Sequence, residues 1–262
     1  MVRTYVLHPP ARAPAPGGYP VVLVLHGAGG TGRQIAAHTA LDRVADREGF
    51  LAVYPDGLDR RWNDGRKMSS SDDVGFIRSL LDTLRREYPV DSTRIFATGI
   101  SNGAMLAHRL ACDLPGVFAA IAPVAGAMPA AIADGCRRAT VSMIAIQGTG
   151  DRLVPYEGGT IGAARGAVLS ARATAAHWAA AAGCRTLPAV ESLPDRVHDG
   201  TRVQRLTWTG CDRGIALYAV VGGGHTWPGG PGGGSSRLIG RTTHEIDGAE
   251  TIWAFFQRHP KR

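Results

Sequence analysis

The order of apolar and polar positions divides the chain into short buried runs and amphipathic stretches. Val21-Val22-Leu23-Val24-Leu25 is a continuous aliphatic, β-branched run, the pattern of a strand covered on both faces. Leu51-Ala52-Val53-Tyr54 repeats it and ends at Pro55-Asp56-Gly57. Val74, Ile77, Leu81, Leu84 and Tyr88 recur at spacings of 3 and 4, one face of a helix. A cap within Ser70–Asp73 starts that helix, and Pro89 stops it. Ile95–Thr98 reads as a third strand running through a Gly-Ile-Ser-Asn-Gly turn into a helix over Ala104–Ala111. Ala119–Val124 and Met143–Ile146 read as further buried strands, and residues 166–182 as an Ala-rich helix ending at Gly183. Val203–Trp208 and Ile215–Val220 alternate as a hairpin does. Asp247 with Glu250 resembles a capping box opening a last helix, with Ile252, Trp253 and Phe256 on its core face. Strands alternating with helices predict the α/β class: a mostly parallel central sheet with helices on both faces.

Composition adds bounds. The 262 residues, 44% hydrophobic, suit a single domain over 1–262 with no appended binding module. There is no internal repeat, and the Gly-rich stretch Gly222–Ser236 is too short for an interdomain linker, which makes it a surface loop. No apolar run reaches the roughly 18 residues a membrane span needs, and Met1–Tyr5 lacks the apolar core of a signal peptide. The formal charge is +7, but basic residues cluster only as pairs such as Arg85-Arg86 and Arg137-Arg138. A solvated basic surface is expected, without nucleic acid or membrane as partner. Cys112, Cys136, Cys184 and Cys211 allow three pairings. No Cys-x-x-Cys is present, and Cys112–Cys136 with Cys184–Cys211 closes the shortest loops. Disulfides imply a secreted or periplasmic protein; four reduced, buried thiols would imply a cytoplasmic one.

The residues that could do chemistry begin with Ser101 in Gly99-x-Ser101-x-Gly103. A serine hydroxyl attacks a carbonyl only when it is exposed, aimed and hydrogen-bonded to a base. A tight strand-to-helix elbow does the aiming and needs small residues on either side. An orienting acid and a histidine base should follow on loops after later strands. Asp151 follows Met143–Ile146 at a strand's carboxyl end, whereas its rivals Asp195, Asp199 and Asp212 lie among turn residues. Of nine histidines, His225 sits between the strand Ile215–Val220 and the last helix, among glycines; His177, His244 and His259 fall on or beside helices. An oxyanion needs two aimed N–H groups. Asn102 offers one, and the loop His26-Gly27-Ala28-Gly29-Gly30 a second, from Ala28 first and Gly29 next. Trp62 and Trp227 are the aromatics expected to border the cleft, with Gly29 beside them as a substrate contact. No cofactor or metal is expected.

His26-Gly27-x-Gly29-Gly30, Trp62-Asn63, Asp73-Val74-x-Phe76, Gly99-Ile100-Ser101-Asn102-Gly103-Ala104-Met105, Ala122-Pro123-Val124-Ala125-Gly126, Gly148-Thr149-x-Asp151 and Gly-Gly-His225-x-Trp227-Pro228-Gly229 stand in order over nearly the whole chain. The set resembles the polyhydroxybutyrate-depolymerase/feruloyl-esterase group of α/β-hydrolases, close to carbohydrate esterase family 1. The resemblance implies an α/β-hydrolase fold and a Ser101, Asp151, His225 triad. It further implies a Cys184–Cys211 disulfide near the active-site rim, and secretion. It points to small or polymeric esters of feruloyl or hydroxyalkanoate type as substrates; a monomer is expected. Aromatic polyester hydrolysis and acyl transfer are the alternatives with the same triad, and an inactive binding module is the contrary reading.

Overall fold

A computed structural model describes residues 2–66, 69–137, 141–162, 166–232 and 236–261. In chain order the elements are β1 (Tyr5–His8), β2 (Tyr19–Leu25), α1 (Gly32–Thr39), α2 (Leu41–Glu48), β3 (Leu51–Pro55), α3 (Asp73–Glu87), β4 (Val90–Ile100), α4 (Asn102–Asp113), β5 (Ala120–Val124), α5 (Ala130–Ala133), β6 (Ser142–Gly148), β7 (Gly159–Thr160), β8 (Ala167–Val168), α6 (Ala171–Ala181), β9 (Ala189–Ser192), β10 (Arg202–Trp208), β11 (Ile215–Val221), α7 (Ser236–Ile239) and α8 (Gly248–Gln257). Among the described residues, nine strands form one sheet in the order β1-β3-β2-β4-β5-β6-β11-β10-β9. From β3 to β11 neighbouring strands run parallel, while β1, β10 and β9 are antiparallel at the edges.

The continuous apolar runs are buried on both faces, because successive side chains of a strand point to opposite sides. Val21, Leu23 and Leu25 of β2 enter one core with Leu81 of α3, Leu110 of α4 and Trp178 of α6. Val22 and Val24 enter the other with Ile35 of α1, Val44 of α2 and Phe256 of α8. Both faces are thus covered by helices, as the alternation predicts.

Several boundaries differ from the sequence reading. The Ala-rich helix begins at Ala171, not 166, because Ser170 caps it by accepting the Ala173 N–H at 3.0 Å. Ala167–Val168 pairs instead with Gly159–Thr160. Asp247 caps α8 through the Glu250 N–H, but Glu250 reaches out to Arg47 and Arg43 rather than back to the cap. The hairpin β10–β11 pairs Val203 with Val220 through Trp208 with Ile215. Part of Gly222–Ser236, and Arg138 of the Arg137–Arg138 pair, lie outside the described residues.

The chain crosses from β2 out to β3, then returns through α3 to β4 on the other side of β2. That reversal leaves a crevice at the carboxyl ends of β2 and β4, the place where open α/β sheets bind ligands.

Candidate active site

Ser101 follows β4 in that crevice, with φ 59° and ψ −121°, a backbone conformation few non-glycine residues adopt. Its strain is held by its neighbours: the Ser101 N–H donates to Val124 O at 3.0 Å and its carbonyl accepts the Met105 N–H at 3.0 Å. A Cβ on Gly99 would lie 2.5 Å from Leu25 O, and one on Gly103 2.3 Å from the same oxygen. Close approach of the turn to β2, rather than a special φ, therefore demands both glycines. Helix α4 starts at Asn102, so its free first-turn N–H groups and positive dipole end face the crevice.

Asp151 lies just past β6 and His225 just past β11, on adjacent parallel strands. His225 Nδ1 is 2.8 Å from Asp151 Oδ2, with side chains 10% and 0% exposed. Asp151 is held from all sides. Oδ2 also accepts Gln147 Nε2 at 2.9 Å, and Oδ1 accepts the Leu153 and Val154 N–H groups at 2.9 and 2.8 Å. A carboxylate so provided with donors accepts from Nδ1–H, which leaves the opposite ring nitrogen of His225 as an acceptor. The rivals are engaged elsewhere: Asp195 with His198 and Arg202, and Asp199 with Thr201 and the His244 N–H. Likewise His177 bonds Cys136 O, and His259 bonds Phe255 O.

The loop after β2 lies against this serine: a Cβ on Gly27 would sit 3.4 Å from Ser101 Cβ. His26 holds the loop, with Nδ1 donating to Gly27 O at 2.8 Å and Nε2 accepting the Gly57 N–H at 3.0 Å. That pair of partners requires a neutral ring, and burial pushes the His26 pKa down accordingly. Asn102 is clamped from beneath, its Oδ1 accepting the Trp62 N–H at 2.8 Å and its Nδ2 donating to Trp62 O at 3.0 Å and Asp64 Oδ2 at 2.7 Å. Asp64 is fully buried and also pairs with Arg66 at 2.6 Å. Asp73 closes the segment by accepting the Asn63 N–H and pairing with Arg3. The sequence reading missed His26, Asp64, Arg66 and Gln147 as supports. Only their adjacency to the motifs could have flagged them.

Ser101, Asn102, Gly27, Ala28 and His225 line one cavity of about 570 Å³. Its apolar wall is aliphatic: Ile100, Met105, Leu153, Val154, Ile161 and Ile239. Arg66, Arg152 and His38 supply the basic lining.

Four expectations need correction. Trp62 is 0% exposed and its Nε1 donates to His26 O at 2.9 Å; its ring lies 4.8 Å from that of His26, under the loop rather than at the cleft. Trp227 is 1% exposed and turns inward to the core it shares with α8, 2.8 Å from where a Gly248 Cβ would stand. Gly29 does not line the cavity, and its N–H is taken by Arg60 O at 2.7 Å, which leaves Gly27 and Ala28 as the loop residues lining it. Both expected disulfides are present, Cys112–Cys136 and Cys184–Cys211, but the second is not at the rim. Cys211 borders a depression with Ser142 and Gly214, at the amino ends of β6 and β11. A seven-residue strand separates it from His225, roughly 20 Å of extended chain. Among the described residues, no group of three or more His, Cys, Asp or Glu could hold a metal, and no helix is long and apolar enough to cross a membrane.

Residues 3–177 match the family model described as esterase PHB depolymerase. NocK of Nocardia uniformis subsp. tsuyamanensis, which carries the name of an esterase, is 32% identical over 97% of this chain and 78% of its own. Feruloyl esterase B of Piromyces equi is 28% identical over 79% of this chain, which spans only 39% of that relative's length. Among solved structures, the acetyl xylan esterase from Aspergillus awamori has a TM-score of 0.67 at 16% identity, with 97% of this chain and 93% of that one covered. Esterase PE8 has a TM-score of 0.62 at 16% identity, covering 99% and 100%. The likeness to these structures establishes the α/β-hydrolase fold.

Proposed function

The chain belongs to the esterase PHB depolymerase family, and on that premise we propose that it is a serine carboxylic ester hydrolase with Ser101 as nucleophile, His225 as base and Asp151 as orienting acid. The observation that carries the reading is the His225 Nδ1–Asp151 Oδ2 contact of 2.8 Å beside the cavity onto which the strained Ser101 opens. His225 takes the Ser101 proton as Oγ attacks the ester carbonyl. The Ala28 and Asn102 N–H groups receive the oxyanion, a term worth about 3–4 kcal/mol for a single donor. His225 then protonates the departing alcohol, and water, activated by the same ring, releases the acid from the acyl-enzyme. Asp151 holds the ring in one tautomer throughout.

The aliphatic wall favours short aliphatic or hydroxyalkanoate acyl groups, since neither Trp62 nor Trp227 is available to stack on a phenolic ring. Hydroxycinnamate esters are the second reading, supported by a relative named for that activity. The two disulfides support a secreted or periplasmic site of action.

The test is a hydrolysis panel of p-nitrophenyl esters of rising chain length, hydroxybutyrate oligomers and methyl ferulate. Ser101→Ala should abolish turnover of every member. A Ser101→Ala protein as active as the wild type would refute the mechanism, and a marked preference for methyl ferulate would select the second substrate reading.

A further inference from the structure

We propose that Arg152 is a carboxylate-binding residue of this cavity, so that the preferred ester carries an anionic group near the bond that is cleaved. The inference rests on the hydrolase reading of Ser101 and adds the substrate's charge to it.

The turn that orients the base also aims Arg152. One oxygen of Asp151 holds His225, while the other accepts the Leu153 and Val154 N–H groups and folds residues 151–154 into a tight turn against the cavity. Arg152 is solvent-exposed and lines that cavity with Ser101 and His225. Its Nη1 donates to Arg237 O at 3.0 Å, which fixes the guanidinium and leaves other donors of its planar fork unspent. The two arginines of the cavity differ in kind. Arg66 is buried and its charge is matched by Asp64 at 2.6 Å. Among the described residues, Arg152 has no carboxylate partner and no Asp or Glu lines the cavity. Burial holds His38 toward its neutral form, so among the described residues Arg152 is the uncompensated positive charge facing substrate.

A guanidinium of this kind recognises a carboxylate through paired, charge-assisted hydrogen bonds. The carboxylate could stand on the acyl side of the ester or on the alcohol side. A linear hydroxy-acid oligomer has one at its free end, which agrees with the aliphatic wall beside Arg152.

Two substrate pairs separate these sources. Monomethyl glutarate against dimethyl glutarate varies the acyl side, and 3-acetoxybutanoate against its methyl ester varies the alcohol side. kcat/KM is read from methanol release for the glutarate pair and from acetate release for the acetoxybutanoate pair, with folding of each variant checked by thermal unfolding. The wild type should prefer the anionic member of at least one pair. Arg152→Gln should lower that anionic-to-neutral ratio about tenfold or more, the range for a hydrogen bond to a charged group, and Arg152→Lys should retain part of it. Arg152→Glu should move the preference toward choline butyrate over its neutral isostere 3,3-dimethylbutyl butyrate. A wild type that prefers the neutral member in both pairs overturns the proposal, as does a ratio unmoved in Arg152→Gln and Arg152→Glu. Ser101→Ala separates the two inferences. If that variant still hydrolyses the neutral esters, the hydrolase reading fails. If it is dead while Arg152 leaves the ratios untouched, only the carboxylate site fails.

Discussion

His108 projects from α4 with no solvent exposure, its Nδ1 accepting the Trp178 indole N–H at 3.0 Å across the packing of α4 on α6. A second proton on this ring has to displace that indole N–H, and burial pushes the pKa down to about 3. In the unfolded chain the same histidine titrates near 6.5. Above that value both states hold it neutral, and the native packing keeps its full stability. As pH falls below it, the unfolded chain takes up a proton that the native state refuses, and stability declines until about pH 3. Each pH unit in that window costs about 1.4 kcal/mol, so acidification to about pH 4.5 removes roughly 3 kcal/mol through this one group. His26 and His38 are shifted the same way by burial and steepen the loss. Urea unfolding of the oxidised protein across this range, wild type beside His108→Gln, isolates the His108 share. The variant starts from its own stability at neutral pH, but its decline to about pH 4.5 should be shallower by roughly 3 kcal/mol. Parallel pH profiles for the two proteins would refute the reasoning.

Gly103→Ala should cost about 1–3 kcal/mol and depress ester turnover, since the new methyl meets Leu25 O at 2.3 Å in the serine turn; equal Tm and kcat would contradict the close-approach argument. Trp62→Ala should cost about 3–5 kcal/mol, measured by urea unfolding, because the ring is fully buried under the His26 loop. A variant that keeps its stability and loses only KM would return Trp62 to the cleft. Reducing the disulfides, which span 24 and 27 residues, should lower stability by about 3 kcal/mol each, read as a drop in Tm with reductant.

The chain's own pattern determined the parts that depend on local physics. Continuous apolar runs such as Val21–Leu25, the 3-and-4 spacing of Val74 to Leu84 and the Gly-Ile-Ser-Asn-Gly turn between strand and helix each state their structure within a few residues. The order of Ser101, Asp151 and His225 after β4, β6 and β11 likewise follows from the sequence, since parallel strands put every such loop at one end of the sheet. Edge strands such as β1 and β9 lay below that horizon, being short and half-exposed or exposed, with no apolar run to announce them. The direction in which a side chain faces was not legible either. A tryptophan two residues past His225 has the same composition whether it borders substrate or fills the core. Only the position of α8 turned Trp227 inward, and only the loop above it buried Trp62. Tertiary structure alone also set Asp64 against Asn102, 38 residues further along the chain; the pairings of Asp64 with Arg66 and of Gln147 with Asp151 are local, but no residue pattern announced them. It decided as well that Cys184–Cys211 closes the opposite end of the sheet, since the turn between β10 and β11 precedes a strand that must run its full length before reaching the site.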